Sequence, residues 1–287
     1  MSADDTMNAH RPPRITCTSR PLTFEVEAIN ERGETLATPI AGEHPLTLYL
    51  DKREIVTLMT LGQAPEALAL GYLRNQRLVQ RIEDIVAVQV DWEADAVAVT
   101  TRTRRMNKQT RARMGRRTVT TGRGQGTVFG DLMEAIDSIR LRDDVSLTEE
   151  RLYGVLEAVR RQETTYKTSG AVHGCALASA HAGEPLYFIE DVGRHNAVDA
   201  IAGRMWLDAV DGSDKIFYTT GRLTSEMVIK AAQMQIPFLV SRSGLTKMAH
   251  EIAARIGITM IGRAVGTRYL LFTGRQRFVK AASPAPA

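Results

Sequence analysis

Four arginines each follow an apolar, β-branched run in the second half of the chain. "FIEDVGR" ends at Arg194, "FYTTGR" at Arg222, "LVSR" at Arg242 and "MIGR" at Arg263. A guanidinium is a two-pronged donor suited to phosphate and carboxylate. If the runs are mutually parallel strands, their carboxyl ends share one sheet edge. Ligands of open α/β sheets bind in the crevice outside that edge, beside helix N-termini whose free N–H groups also attract anions. Guanidiniums gathered there without partners would repel one another, and a bound polyphosphate or nucleotide would resolve the conflict. A plainer reading competes: Glu190, Asp191 and Glu226 neutralise these arginines as surface ion pairs.

Other residues carry similar ambiguity. Gly193 precedes a helix that opens with Arg194 and His195, the wrong charge for a helix N-terminus unless an anion lies there. Glu190, Asp191 and Asp199 have the chemistry of acid–base groups, yet Asp191 is equally a helix cap. Asp199 follows His195 by four residues, and Lys230 follows Glu226 by four, the spacing of pairs on one helix face. His173 lies two before Cys175, an arrangement open to a thiol nucleophile or to a cysteine acting as a small buried hydrophobe. Cys17 and Cys175 form neither a disulfide framework nor a zinc pattern, so a reducing cytoplasm is expected.

These side chains need a scaffold, and the pattern predicts an α/β protein of α+β arrangement. The 287 residues, 44% hydrophobic and 24% charged, suit one large domain or two modest ones. No apolar run reaches eighteen residues, so no membrane span is expected, and the first residues lack an apolar signal region. Residues 1–20 read as a disordered tail. Residues 21–130 read as a strand-rich domain, with strands in "FEVEAI", "LTLYLD", "EIVTLM", "IVAVQVDW" and "AVAVTTRT" and one helix over Ala64–Val79. The domain ends in a basic run, Arg102–Arg117, with eight cations and no acid among sixteen residues, and in the glycine-rich Thr120–Gly130. The basic run is either a solvated loop or a polyanion-binding segment; without interleaved aromatics it has no base-stacking platform for nucleic acid.

Residues 131–287 read as the second domain. Helices are expected from Asp131 and from Thr148. "AVHGCALASA" and "PLYFIE" form a hairpin, and strands and helices then alternate through "KIFYTT", a helix from Ser225, "PFLVS", a helix from Thr246, "ITMIG" and "YLLF". Such alternation implies a largely parallel sheet with helices on its faces.

The blocks "TSGAVHGCAL" (168–177), "EDVGRHNAVDAIAG" (190–203), "TGRLTSEMVIKAAQMQIPFLVSRSGLT" (220–246) and "GITMIGRAVGTRYLLFT" (257–273) together resemble the FdhD family of formate dehydrogenase accessory proteins. The resemblance implies a cytidine-deaminase-like C-terminal fold that binds the molybdenum cofactor as its bis-guanine dinucleotide. It implies sulfur transfer from a cysteine desulfurase, with a formate dehydrogenase catalytic subunit as partner. A homodimer is a candidate assembly that the residues themselves leave open. Carried over residue by residue, it places His173, Gly193, Arg194, His195, Gly221, Arg222, Ser225 and Glu226 in the cofactor pocket. The late segment Arg263, Ala264, Val265, Gly266, Thr267 and Arg268 matches the family's cofactor-binding stretch, and Arg242 joins them through the strand-end pattern. A zinc deaminase needs H-x-E and P-C-x-x-C at its helix starts; "HNA" and "GRLTSE" stand here instead, so neither zinc nor deamination is expected.

One departure from the family is specific. Its sulfur carriers bear a "TGCGxCG" element, and this chain has "TGRGQGT" (121–127), with Arg123 and Gly126 at the persulfide cysteine positions. Neither side chain can hold a persulfide. The expected function is therefore a non-enzymatic cofactor carrier, similar to cysteine-lacking, FdsC-type paralogues. An active sulfur carrier using Cys175 and a nucleic-acid binder using 102–117 stand as alternatives.

Overall fold

The alternating "HPLTLYLDKREIVTLMT" folds as an antiparallel hairpin, β4 (His44–Leu50) and β5 (Arg53–Thr60). Its turn residues Asp51 and Lys52 have φ of 48° and 69°, the handedness that matches strand twist in a two-residue hairpin. The Asp51 carboxylate accepts from the amide (2.8 Å) and hydroxyl (2.7 Å) of Thr101, which ties the turn to the sheet. In this computed structural model, which describes residues 12–103, 138–162 and 164–281, the hairpin completes a five-stranded sheet. The order is β1–β6–β7–β4–β5, with β1 (Arg14–Ile15), β6 (Ile85–Asp91) and β7 (Ala96–Thr101). A separate hairpin joins β2 (Thr23–Ile29) to β3 (Thr35–Ala41).

The chain divides into two compact units: residues 1–128, 168–172 and 191–210, and residues 129–167, 173–190 and 211–287. The basic run from 104 onward, Arg123, Gly126, the helix expected from Asp131 and the expected boundary at 130/131 lie outside the described residues. Residues 191–210, placed by sequence with the C-terminal domain, group with the first unit. The reason is α4 (Arg194–Leu207), which packs closely on α1 (Pro65–Asn75). Part of the expected tail is also tied down. β1 pairs with β6, and buried Glu66 accepts from the Thr16 hydroxyl (2.6 Å) and the Thr18 amide (3.0 Å).

Helix α1 begins with Pro65 at its first turn, where the missing N–H costs nothing, and stops at Asn75, short of the expected Val79. The stop is a Schellman motif: Arg77 takes φ 55°, its amide bonds to the Arg74 carbonyl, and the Leu78 amide bonds to that of Leu73. Glycine usually marks such an end, and its absence hid the signal.

The second unit centres on a six-stranded sheet of order β10–β9–β11–β12–β13–β14. Its strands are β9 (His173–Ser179), β10 (Pro185–Asp191), β11 (Lys215–Thr219), β12 (Phe238–Ser241), β13 (Thr259–Val265) and β14 (Arg268–Thr273). The three central strands β11, β12 and β13 are mutually parallel, whereas β9 and β14 flank them antiparallel. The parallel core is thus narrower than the alternating pattern implies. Helices α2 (Glu149–Arg161), α5 (Ser225–Gln233) and α6 (Lys247–Ile256) join α3 (Thr165–Ser169). Leu152 and Val155 of α2 pack with Ala176, Ile216, Phe238, Val240 and Ile261 in the core. The Thr148 and Thr246 hydroxyls cap α2 and α6, as the sequence signals predict. A short parallel pair joins β8 (Leu147–Thr148) to β15 (Phe278–Val279). No helix among the described residues is long and apolar enough to cross a membrane.

Candidate functional site

The parallel register of β11, β12 and β13 brings their carboxyl ends to one edge; Arg222 and Arg242 follow their strands there, and Arg263 lies within β13 two residues past its last pairing with β12, at Ile261. All three side chains are exposed. Among the described residues, no carboxylate pairs with any of the three, which removes the plain ion-pair reading for them. Two loops carry them in similar ways. The Leu223 amide donates to the Gly244 carbonyl, and the Thr246 amide to the Leu223 carbonyl, both at 3.0 Å. Below them the Ser241 hydroxyl donates to the Gly221 carbonyl at 2.7 Å and accepts from the Ser243 amide. Arg263 takes φ 52° at a β-bulge, with its amide bonded to the Ser243 carbonyl at 2.8 Å. A left-handed arginine costs on the order of 1–2 kcal/mol, so the surrounding bonds hold this cation where the chain alone would not.

Beside this edge lies a cavity of about 450 Å³. Its walls include the aromatic rings of Tyr153, Tyr166, Phe188 and Tyr218, the cations Arg160, Lys167 and Arg242, and the turn Ala264–Thr267. Gly266 at that turn has φ 58°, as a tight hairpin turn requires. Burial pushes the Tyr218 hydroxyl up to about 12, and the nearby Arg242 guanidinium opposes the shift. Glu157 holds Arg160 with two bonds of 2.7 and 2.8 Å, so that cation is neutralised, unlike Arg242.

Glu190 is buried and accepts from the amides of Thr165 (2.6 Å) and Tyr166 (3.2 Å). Its charge anchors the start of α3, which presents Tyr166 and Lys167 to the cavity. His173 Nδ1 stands 3.4 Å from the Thr220 hydroxyl oxygen, which also accepts from the Gly174 amide. Cys175 is fully buried with Sγ 3.4 Å from Thr219 Oγ1. That is the environment of a packed thiol rather than an open nucleophile. Ser225 and Glu226 open α5, and Glu226 pairs with buried Lys230 at 3.7 Å, the helix pair its spacing predicts.

Gly193, Arg194 and His195 belong to the first unit, where Gly193 precedes α4 as expected. An internal anion lies at this helix start. The buried Asp191 carboxylate accepts from the Gly193 amide (3.0 Å), Asn196 Nδ2 (2.9 Å), the Thr60 hydroxyl (2.5 Å) and the Leu61 amide (3.2 Å). Burial pushes its pKa up to about 6, against the pull of these four donors. Asp199 is fully buried and accepts from Asn75 Nδ2 at 2.7 Å. No group of three or more metal-ligating side chains occurs among the described residues.

The second unit thus brings together Arg242 and Ala264–Thr267 in one cavity, with His173, Gly221, Arg222 and Arg263 on the same unit. Sequence reasoning missed Tyr166, Lys167, Tyr218 and Thr220 as lining residues. Tyr218 and Thr220 stand beside Arg222 at the end of β11, which was their available signal; nothing in the spacing marked α3.

Comparison with known proteins matches residues 41–279 to the model of the FdhD/NarQ family. The sulfur carrier protein FdhD of Listeria innocua is 28% identical over 246 residues, covering 85% of this chain and 93% of its own. That of Saccharolobus solfataricus is 30% identical over 242 residues, covering 83% and 90%. A crystal structure from Desulfotalea psychrophila, described as that of a formate dehydrogenase accessory protein, superposes with a TM-score of 0.72 at 24% identity. It covers 90% of this chain and 100% of its own, a likeness of fold.

Proposed function

Because the chain belongs to the FdhD/NarQ family, we propose that it is an accessory protein of formate dehydrogenase maturation. It holds the molybdenum cofactor, in its guanine dinucleotide form, as cargo for delivery. The observation that carries this reading is the set of exposed arginines, Arg222, Arg242 and Arg263, at the carboxyl edge of three parallel strands, none paired with a carboxylate among the described residues. Phosphate supplies the missing counter-charge in the bidentate geometry guanidinium prefers. The adjoining aromatic-walled cavity offers stacking surface to a planar ring system.

The chain's own part is binding and positioning. Tyr218 stays protonated at neutral pH and can donate a hydrogen bond, while Arg242 beside it supplies charge. The role of sulfur carrier, after which the relatives are named, requires a thiol. With Arg123 and Gly126 at the persulfide positions and Cys175 buried, carriage of the cofactor fits these residues better than carriage of sulfur. Copurification with formate dehydrogenase subunits, followed by assay of bound molybdopterin and guanine nucleotide, tests the reading. Cofactor in the wild type and its loss in an Arg222→Ala/Arg242→Ala variant is the expected result; equal retention in both would overturn it.

A further inference from the structure

The hairpin of β2 and β3 forms a two-stranded sheet of its own, and no other strand pairs with it among the described residues. It is fully zipped. Paired residues run from Thr23–Ala41 to Ile29–Thr35, and Asn30 Oδ1 closes the turn by accepting from the amides of Arg32 (2.9 Å) and Glu34 (3.0 Å). Two strands alone are marginal in water without a third strand or a helix to cover them. The pleat sorts the side chains onto two faces. One face carries Phe24, Val26, Leu36 and Ile40, which are 39–48% exposed. The other carries Glu25 and Glu27, both exposed, and no cation pairs with either among the described residues.

The two edges of the hairpin are not equivalent. The bonds from the Asn30 amide to the Glu34 carbonyl and from the Gly42 amide to the Leu22 carbonyl fix the alternation of the ladder. Phe24, Val26 and Ala28 therefore bond inward to β3, whereas Thr23, Glu25, Glu27 and Ile29 aim their backbone groups at the outer edge of β2. On β3 the outward positions are Thr35, Ala37, Pro39 and Ala41, and Pro39 has no N–H to give. The outer edge of β2 is thus the one suited to pairing. A second copy of the same edge is a poor occupant. Full antiparallel overlap sets Glu25 of one copy against Glu27 of the other, and like charges directly opposite destabilise a strand pair. We propose that the β2 edge docks an extended segment of a partner protein in which cationic and apolar residues alternate. Such a segment adds a third strand. It sets lysine or arginine beside Glu25 and Glu27, and it extends the apolar face of Phe24 and Val26.

Fluorescence anisotropy with the full chain and a labelled peptide of about eight residues, lysine alternating with valine, tests this. The peptide should bind, and the same peptide with glutamate for lysine should not. Glu25→Lys/Glu27→Lys should weaken the lysine peptide about tenfold and reverse the preference between the two. Methylating the peptide's backbone nitrogens that face β2 should abolish binding, a change that a purely electrostatic contact would survive. No binding by the wild type, binding unchanged by the charge reversal, or binding that survives the methylation would each overturn the proposal. Sedimentation of the wild type with and without the lysine peptide addresses the remaining occupant. The assembly should keep its size apart from the added peptide; release of monomers from a dimer would assign the edge to a second copy and overturn the proposal as well.

Discussion

Gly71 of α1 lies directly against the backbone of Asp199 in α4: a Cβ at Gly71 would sit 1.6 Å from the Asp199 carbonyl oxygen. The relation is reciprocal, since a Cβ at Gly203 of α4 would sit 1.9 Å from the Ala67 carbonyl oxygen of α1. The helices cross backbone to backbone, and the Asn75–Asp199 bond of 2.7 Å closes the same interface. The clash involves backbone, which cannot swing aside. Gly71→Ala should therefore destabilise the protein by at least about 3 kcal/mol, read as a fall in the urea midpoint, and Gly203→Ala should do the same. A midpoint within error of wild type would show that the crossing is looser than described.

Asp191 makes stability depend on pH in an uncommon direction. Its folded pKa is raised from 3.8 to about 6, chiefly by burial. Between about pH 4 and 6 the folded chain therefore holds a proton that the unfolded chain releases. Stability from this group is present below pH 4 and falls as pH rises through 6, by about 3 kcal/mol in all. Asp191→Asn should flatten this part of the profile in denaturant titrations at successive pH values. It should also lower stability throughout, because an amide N–H₂ would face the donors Leu61 or Gly193. An unchanged slope in the variant would show that other groups set it.

The same carboxylate shows where sequence reading reaches its limit. Strand and helix positions were legible because their residues alternate or repeat locally: "LTLYLD", "IVAVQVDW" and the helix after Thr148 all appear where the pattern puts them. The strand-end arginines were legible because each sits beside its own strand. The partners of Asp191 were not, since Thr60 lies 131 residues away and no period connects them. Strand β3 was hidden by Pro39, which falls in a two-stranded hairpin free of the usual ban on central-strand proline. The grouping of α4 with the first unit depends on two glycines, Gly71 and Gly203, whose role appears only once the helices meet.

Glu149 ties the last described residues to the cavity wall. It accepts from the Tyr269 hydroxyl (2.6 Å), the Tyr153 hydroxyl (3.1 Å) and the Ala281 amide (3.1 Å). The Tyr269 hydroxyl holds its pKa below the ordinary glutamate value. Tyr153 also lies 3.2 Å from the carbonyl of Thr267 in the cavity turn. Glu149→Ala should leave the Tyr269 hydroxyl and the Ala281 amide without this acceptor, while Tyr153 keeps the Thr267 carbonyl; it should cost about 1–3 kcal/mol and raise amide exchange at residues 278–281 well above wild type. Exchange there that matches wild type would mean that the pairing of β15 with β8 suffices alone.

Arg222 and Arg242 separate binding from folding. Both are exposed and lack carboxylate partners among the described residues, so replacing either by alanine should change stability by no more than about 0.5 kcal/mol. Anion binding in the crevice should nonetheless fall, and the remaining affinity should depend less steeply on salt, because one fewer charge is screened. Calorimetry with a guanine nucleotide at two salt concentrations checks both. Equal affinity and equal salt dependence would place the phosphates elsewhere.

The two cysteines should differ sharply in reactivity. Cys17 is exposed and Cys175 is fully buried, and attack by or on a thiol requires access to the thiolate. A thiol reagent should therefore label one cysteine promptly in the native chain and the second only on unfolding, with peptide mass spectrometry assigning the fast site to Cys17. Incubation with a cysteine desulfurase and cysteine should leave Cys175 without added sulfur. The Sγ–Thr219 contact of 3.4 Å gives a further handle. Thr219→Val would remove that polar neighbour while keeping the volume, and if burial alone protects the thiol, its labelling rate should stay slow. Labelling of native Cys175 as fast as Cys17 would mean that the strand opens to solvent, and would return a sulfur-carrying role to this thiol.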